Sequence, residues 1–142
     1  MKKVVLISCV SKKLPSTARA KDLYISPLFV GNLRYARSLQ PDSIFILSAK
    51  YGLLELDKEV EPYDTTLKNM SRAQVKTWAN HVIDQLQELA DLKNDHFIFL
   101  AGETYRKYLT PHLLSYEIPL QGMTIGKQLQ YLAKQNHEPN LP

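Results

Sequence analysis

The chain has 142 residues, 44% of them hydrophobic, with a formal charge of +4 and a pI of about 9.1. That balance suits one folded domain with a real core and excludes a disordered chain. No apolar run approaches the roughly 20 residues of a transmembrane helix. One cysteine excludes an internal disulfide and suits a reducing compartment, so a cytoplasmic location is expected. Cys9 and four scattered histidines offer no zinc-type spacing, so neither a metal nor a cofactor is expected. The positive excess favours anionic partners such as nucleotides or nucleic acid.

Lys3 to Ser8 is a β-branched run closed by Ser8 and Cys9, as in a buried strand. Two cations precede it, but no small-residue cleavage site follows, so it reads as a strand and not a signal peptide. Val10 to Lys21 is a long basic loop. Its Lys12, Lys13, Arg19 and Lys21 either hold an anion or are simply solvated. Ser26 and Pro27 are N-cap and first-turn residues for a helix to about Leu39, stopped by Pro41 and Asp42.

Ile44 to Ser48 reads as a second buried strand, opening into Ala49-Lys50-Tyr51-Gly52. Leu53 to Lys68 has no period and reads as an irregular excursion containing the acidic turn Glu61-Pro62-Tyr63-Asp64. Ser71 caps a helix from about Arg72 to Ala90, whose Val75, Trp78, Ala79, Val82, Leu86 and Leu89 share one face. His96 to Ala101 is a third strand, and Gly102-Glu103 opens a helix expected to reach Leu114. Tyr116 to Leu120 is a short fourth strand, with Pro119 placing it at an edge.

Gly122 to Gln128 leads into a helix over about Leu129 to Lys134. The segment is not a phosphate-binding Walker loop: three residues separate Gly122 from Gly126, and Gln128 follows Lys127. A glycine-flanked helix start can still offer backbone N–H groups to an anion. Residues 136–142 are expected to fray. The alternation predicts a single three-layer, Rossmann-like α/β domain over residues 1–142, with a mostly parallel sheet of about four strands.

A parallel sheet brings strand ends to one rim, where ligands bind in open α/β folds. Four polar clusters fall at such ends. Ser8, Cys9, Lys12, Lys13, Ser48, Gly52, Gly102, Gly122, Gly126, Lys127 and Gln128 are candidate anion contacts or close-approach positions. Tyr24, Tyr51, Tyr63 and Tyr105 are candidate ring contacts. Glu103 and Asp64 are candidate general acids or bases if burial raises their pKa, and Lys50 is a nucleophile or phosphate clamp. Each has a plainer alternative: Lys50 solvated, Glu103 a helix-dipole partner, Asp64 part of a solubilising turn, Cys9 a small core residue.

Taken together, several motifs carry a resemblance. They are Ser8-Cys9 with Lys12-Lys13, Asp22-Leu23-Tyr24-x-Ser26-x-Leu28-Phe29, Leu47-Ser48-Ala49-Lys50-Tyr51-Gly52-Leu53, Glu61-Pro62-Tyr63-Asp64, Ala101-Gly102-Glu103-x-Tyr105 and Gly122-x-x-Ile125-Gly126-x-Gln128-Leu129. In these, nearly the whole chain resembles the bacterial and phage family called domain of unknown function 6884, whose name carries no reaction. The Ser-Ala-Lys-Tyr-Gly-Leu stretch is similar, more loosely, to one in the DNA-associated YaaA proteins. Cys9-x-x-x-Lys13 with Tyr24-x-Ser26 is similar to the lysine-bearing motif of archaeosine synthase, except that Leu14-Pro15 stands after Lys13.

The expected function is an enzyme acting on a nucleotide, nucleoside or modified nucleic-acid base, by hydrolysis or transfer at a glycosidic or phosphate bond. The rivals are a non-catalytic DNA- or nucleotide-binding module and a phage-defence accessory domain. A homodimer is among the expected assemblies; a membrane is not an expected partner.

Overall fold

The computed structural model describes residues 1–136; residues 137–142, most of the expected frayed tail, lie outside them. In chain order the strands are β1 (Lys3–Ser8), β2 (Ala18–Arg19), β3 (Ser43–Ser48), β4 (Gly52–Glu55), β5 (Glu59–Val60), β6 (His96–Leu100) and β7 (Tyr116–Glu117). The α-helices are α1 (Ala20–Leu23), α2 (Pro27–Ser38), α3 (Arg72–Gln87), α4 (Glu103–Arg106) and α5 (Ile125–Asn136). Short 3-10 turns cover Leu67–Asn69 and Thr110–His112.

The main sheet has five strands in the order β4-β3-β1-β6-β7. β1 pairs in parallel with both β3 and β6, and β6 with β7; only β4 runs antiparallel, beside β3. Alternate side chains of the central strands face opposite layers. Val4, Leu6, Phe45, Leu47, Phe97 and Phe99 pack towards α3 with Val82 and Leu86. Val5, Ile7, Ile46, Ile98 and Leu100 pack towards α2 and α5 with Phe29 and Leu132. The result is the expected three-layer, mostly parallel α/β fold, with five strands in the main sheet where about four were expected, because β4 adds an antiparallel edge. Each fully buried aliphatic side chain contributes about 1.5–3 kcal/mol.

Capping sets the helix starts. The Ser26 hydroxyl accepts from the Phe29 N–H, and Ser71 and Gln74 form a reciprocal capping box on α3. α2 and α5 approach closely at Gly31, where an added Cβ would stand 3.3 Å from Leu132. At the amino end of β1, the Lys3 N–H donates to Asp42 Oδ2 (2.7 Å) and the Lys2 N–H to Asp95 Oδ1 (2.8 Å). Carboxylates entering β3 and β6 thus anchor the central strand between its neighbours.

Four expectations are corrected. Leu53 to Lys68 is not wholly irregular: β4 closes a hairpin with β3, and β5 pairs with β2 in a separate two-stranded sheet. The helix from Glu103 ends at Arg106, and a 3-10 turn around Pro111 replaces its expected second half. The last helix starts at Ile125, so Gly126, Lys127 and Gln128 lie inside it. The basic loop is pinned and not free. Lys13 bridges Tyr24, the Leu14 N–H donates to Leu23 O (2.8 Å), and the Ile25 N–H to Lys12 O (3.1 Å). Among the described residues, no helix is long and apolar enough to cross a membrane.

The β3–β4 turn is the tightest junction in the sheet. Ser48 pairs with Gly52 across three loop residues, and Gly52 has φ +75°. The Gln85 carboxamide oxygen accepts from the Leu53 N–H (2.8 Å) and lies 2.3 Å from where a Gly52 Cβ would be. Gly52→Ala should therefore cost about 1–3 kcal/mol from the left-handed backbone and the collision together. A urea-unfolding cycle with Gln85→Ala should recover part of that loss, because the second change removes the obstructing group. Strict additivity would contradict the proposed collision.

Asp95 is 5% exposed, and its carboxyl lies below the usual carboxylate range because the N–H groups of Asp91 and Lys2 donate to it. A depressed folded value means stabilisation that is present above the unfolded pKa of about 3.9 and lost as pH falls through the folded value. Urea midpoints should drop on acidification below about pH 4. Asp95→Asn should lower the neutral-pH midpoint and flatten that acid dependence. An unchanged midpoint would remove Asp95 as an anchor.

Candidate functional site

The chain leaves β1 towards β3 on one side and later returns past β1 to β6 on the other. Such a reversal opens a crevice outside the carboxyl ends of the two strands it separates. Ser8 ends β1 and Cys9 follows it, and Ala101 and Gly102 follow β6. Across that junction Cys9 Sγ lies 3.3 Å from Tyr105 Oη. Tyr105 comes from α4 and packs edge-on against Trp78 of α3, with ring centroids 5.6 Å apart.

Next to Cys9 lies a buried chain of hydroxyls. The Ser48 hydroxyl donates to Tyr63 Oη (2.7 Å), and Tyr63 Oη is hydrogen-bonded to Tyr24 Oη. Ser48 Oγ also accepts from the N–H groups of Lys50 (3.2 Å) and Tyr51 (3.1 Å), while Ser48 O accepts from Trp78 Nε1 (2.8 Å). Ser48 is therefore the strut that ties turn, α3 and phenols together. Burial raises the pKa of Tyr24, Tyr63 and Tyr105, and the nearby Cys9 sulfur adds to each rise. The thiol thus stands among three phenols that stay protonated at neutral pH.

Two cations border this cluster. Lys13 Nζ lies 4.4 Å from the centroid of the Tyr63 ring, and Lys50 Nζ lies 5.2 Å from that of Tyr51. The Tyr51 and Tyr63 rings meet edge-on at 5.5 Å. Lys13 is half-buried and held by its bridge to Tyr24, whereas Lys50 is exposed on the turn. Tyr24 and Tyr63 are buried, so the half-buried Tyr51 and Tyr105 are the phenols with ring surface to offer.

The structure thus assembles Cys9, Lys13, Tyr24, Ser48, Lys50, Tyr51, Gly52, Tyr63 and Tyr105 around one rim. Ser8 is half-buried beside Cys9, and Lys12 is exposed on the pinned loop. Glu103 and Asp64 are both exposed, so neither has the burial on which the acid/base expectation depended. Gly102 is exposed at the start of α4. Gly122, Gly126 and Lys127 are exposed, and Thr124 already accepts from the N–H groups of Lys127 and Gln128. Gln128 itself donates to Met123 O (3.0 Å). Sequence reasoning missed Trp78 and Gln85 as supports of the rim, because only the fold brings α3 against the Ser48–Leu53 turn.

A concavity of about 810 Å³ lies at the opposite, amino end of the sheet and includes Lys2, Glu88, Asp91, Asp95 and His112. Its aspartates are committed to loop amides, and the chemically unusual groups are at the other end. The carboxyl rim is the better site on chemical grounds. Among the described residues no cluster of three or more His, Cys, Asp or Glu could hold a metal ion.

The buried phenols set an alkaline limit. A phenol whose folded pKa is raised contributes stability that is intact below the unfolded value near 10 and lost as pH rises further. Of the chain's eight tyrosines, Tyr24, Tyr63 and Tyr105 should ionise, by absorbance at 295 nm, only as the fold is lost. Tyr35, pushed up to about 12 chiefly by burial, should also lag. Tyr63→Phe should cost about 1–2 kcal/mol by breaking the hydroxyl chain. Uniform titration near pH 10 with the fold intact would disprove the buried network.

Comparison with known proteins gives one family. No curated protein matches the chain, and the looser likeness to the YaaA proteins is not shown. The family of unknown function DUF6884 matches residues 4–134, a span that includes every residue of the rim described above. The chain belongs to the DUF6884 family.

Proposed function

We propose that the rim binds a nucleotide, nucleoside or modified nucleic-acid base, and that the protein hydrolyses or transfers its glycosidic or phosphate bond. The observation that carries this is the placement of Lys13 and Lys50 on either side of the Tyr63–Tyr51 pair, beside the Cys9–Tyr105 contact. Ammonium groups suit phosphate, and half-buried phenol rings suit a base or sugar face. Tyr105 holds its proton at neutral pH because burial, and then Cys9, oppose its ionisation. A phenol raised in this way is a weak general acid, so it serves only a leaving group basic enough to take its proton, such as a departing oxyanion.

This reading moves the acid role from Glu103 and Asp64 to Tyr105, since both carboxylates are exposed while Tyr105 faces Cys9. Lys50 keeps a clamping role at the outer edge, and Lys13 becomes the inner anion contact. The exposed carboxylates also favour the second reading, a nucleotide-binding module without turnover, in which the same rim binds and no group donates a proton.

A thermal-shift screen against bases, nucleosides and nucleotides tests both. A ligand at about 100 times its Kd stabilises the fold by about 2.7 kcal/mol. Lys13→Ala should weaken binding at least tenfold. Tyr105→Phe should leave binding nearly unchanged and lower turnover by about 10²-fold or more. If Glu103→Gln stops turnover and Tyr105→Phe does not, the acid is Glu103. Binding with no turnover establishes the module. No shift with any of these ligands sinks the rim reading.

A further inference from the structure

Outside the rim, α4 forms one wall of a second concavity. Its volume is about 440 Å³, within the range of small-ligand sites, and its lining includes Lys68, Arg72, Glu103, Thr104, Lys107 and Tyr108. The floor is apolar, with Leu67 and Val75 buried beneath it. Two ammonium groups converge on the Tyr108 ring: Lys76 Nζ at 5.4 Å and Lys107 Nζ at 5.6 Å from its centroid. Lys68, Arg72, Lys76 and Lys107 are all exposed. None of the ion pairs among the described residues involves any of them. Glu103 is the only carboxylate in the lining.

We infer that this groove is a track for the phosphate backbone of a single-stranded nucleic acid. Four unpaired cations around an open concavity create a local positive field where phosphates displace counterions. An aromatic ring interleaved with cations is how single strands are held without sequence reading, the ring meeting a base face and the cations the backbone. A duplex hides its base faces, so Tyr108 selects the single strand. An acidic peptide would satisfy the cations but leave the ring without a stacking partner.

The groove and the rim share α4: Glu103 lines the groove, and two residues on Tyr105 reaches Cys9. A strand in the groove would therefore run beside the crevice. The inference rests on the proposed function for its purpose, a base presented to the rim, but its binding chemistry stands on the groove alone.

The test measures fluorescence anisotropy of short labelled single-stranded DNA and RNA between about 50 and 200 mM salt. Each phosphate contact on a single strand adds about 0.7 to the slope of log affinity against log salt. Lys68→Gln/Arg72→Gln/Lys107→Gln should lower that slope by about two and weaken binding at low salt at least tenfold. Glu103→Gln should tighten binding. A Lys93→Gln/Lys134→Gln control should match the wild type. These side chains are exposed, so melting temperatures should agree across the set.

Wild-type affinity and slope in the triple variant overturn the inference. So does failure of the wild type to bind either strand, or equal competition by polyglutamate of the same charge. Failure of the rim reading would look different: mononucleotide binding would be absent or insensitive to Lys13→Ala, while the groove variants still lost oligonucleotide affinity.

Discussion

The structure turns on one buried serine. Ser48 is fully inaccessible, and its hydroxyl and carbonyl reach the turn amides, Tyr63 and the Trp78 indole. A buried hydroxyl without partners costs roughly 1–3 kcal/mol, so this position is stable only because all its neighbours are in place. Removing any one neighbour leaves others unpaired. That mutual dependence fixes the β3–β4 turn against α3, and the turn in turn fixes where Lys50 and Tyr51 stand. The geometry of the rim is thus inherited from a core hydrogen-bond network.

Much of the scaffold could be read from residue order. The first strand runs Lys3–Ser8 as its β-branched run implies, and Ser26 and Ser71 cap helices where their spacing places them. Those signals are local: burial on both faces gives continuous apolar runs, and capping acts over three residues. The parts not legible depend on distant partners. β2 and β5 are two residues each and exist only by pairing with one another across the fold. β4 carries Gly52 and Glu55, poor strand formers, and is held by β3 and by Gln85 from α3.

The site divides the same way. That Ser48, Tyr51, Tyr105 and the lysines belong near strand ends followed from the parallel order. That Tyr24 and Tyr63 bond each other did not, because 39 residues separate them and no spacing rule connects them. The carboxylates illustrate the converse. Asp64 follows Tyr63 and Glu103 stands two residues before Tyr105, yet both carboxylates face solvent while the two phenols turn inward. Adjacent residues point in different directions on a helix or an extended chain, so neighbourhood in sequence is a poor guide to a shared site.

This inward–outward division has a chemical consequence. With its carboxylates outside, the rim is a place of protonated phenols, a thiol and two ammonium groups. Such a set stabilises negative charge through its lysines, while burial makes its phenols hold their protons tightly. Reactions that need a strong base to remove a proton fit it badly. Reactions whose difficulty lies in the departure of an anionic or basic leaving group fit it well, because the lysines offset developing charge and Tyr105 can supply a proton. A glycosidic bond to a base, or a phosphate ester, breaks in that manner. The groove on the outer side of α4 has the same sign of charge and little of the burial, which suits holding a polyanion and not transforming it. The four-residue helix between them thus gives Glu103 to the groove lining and Tyr105 to the contact with Cys9, so a change in its position would move both places together.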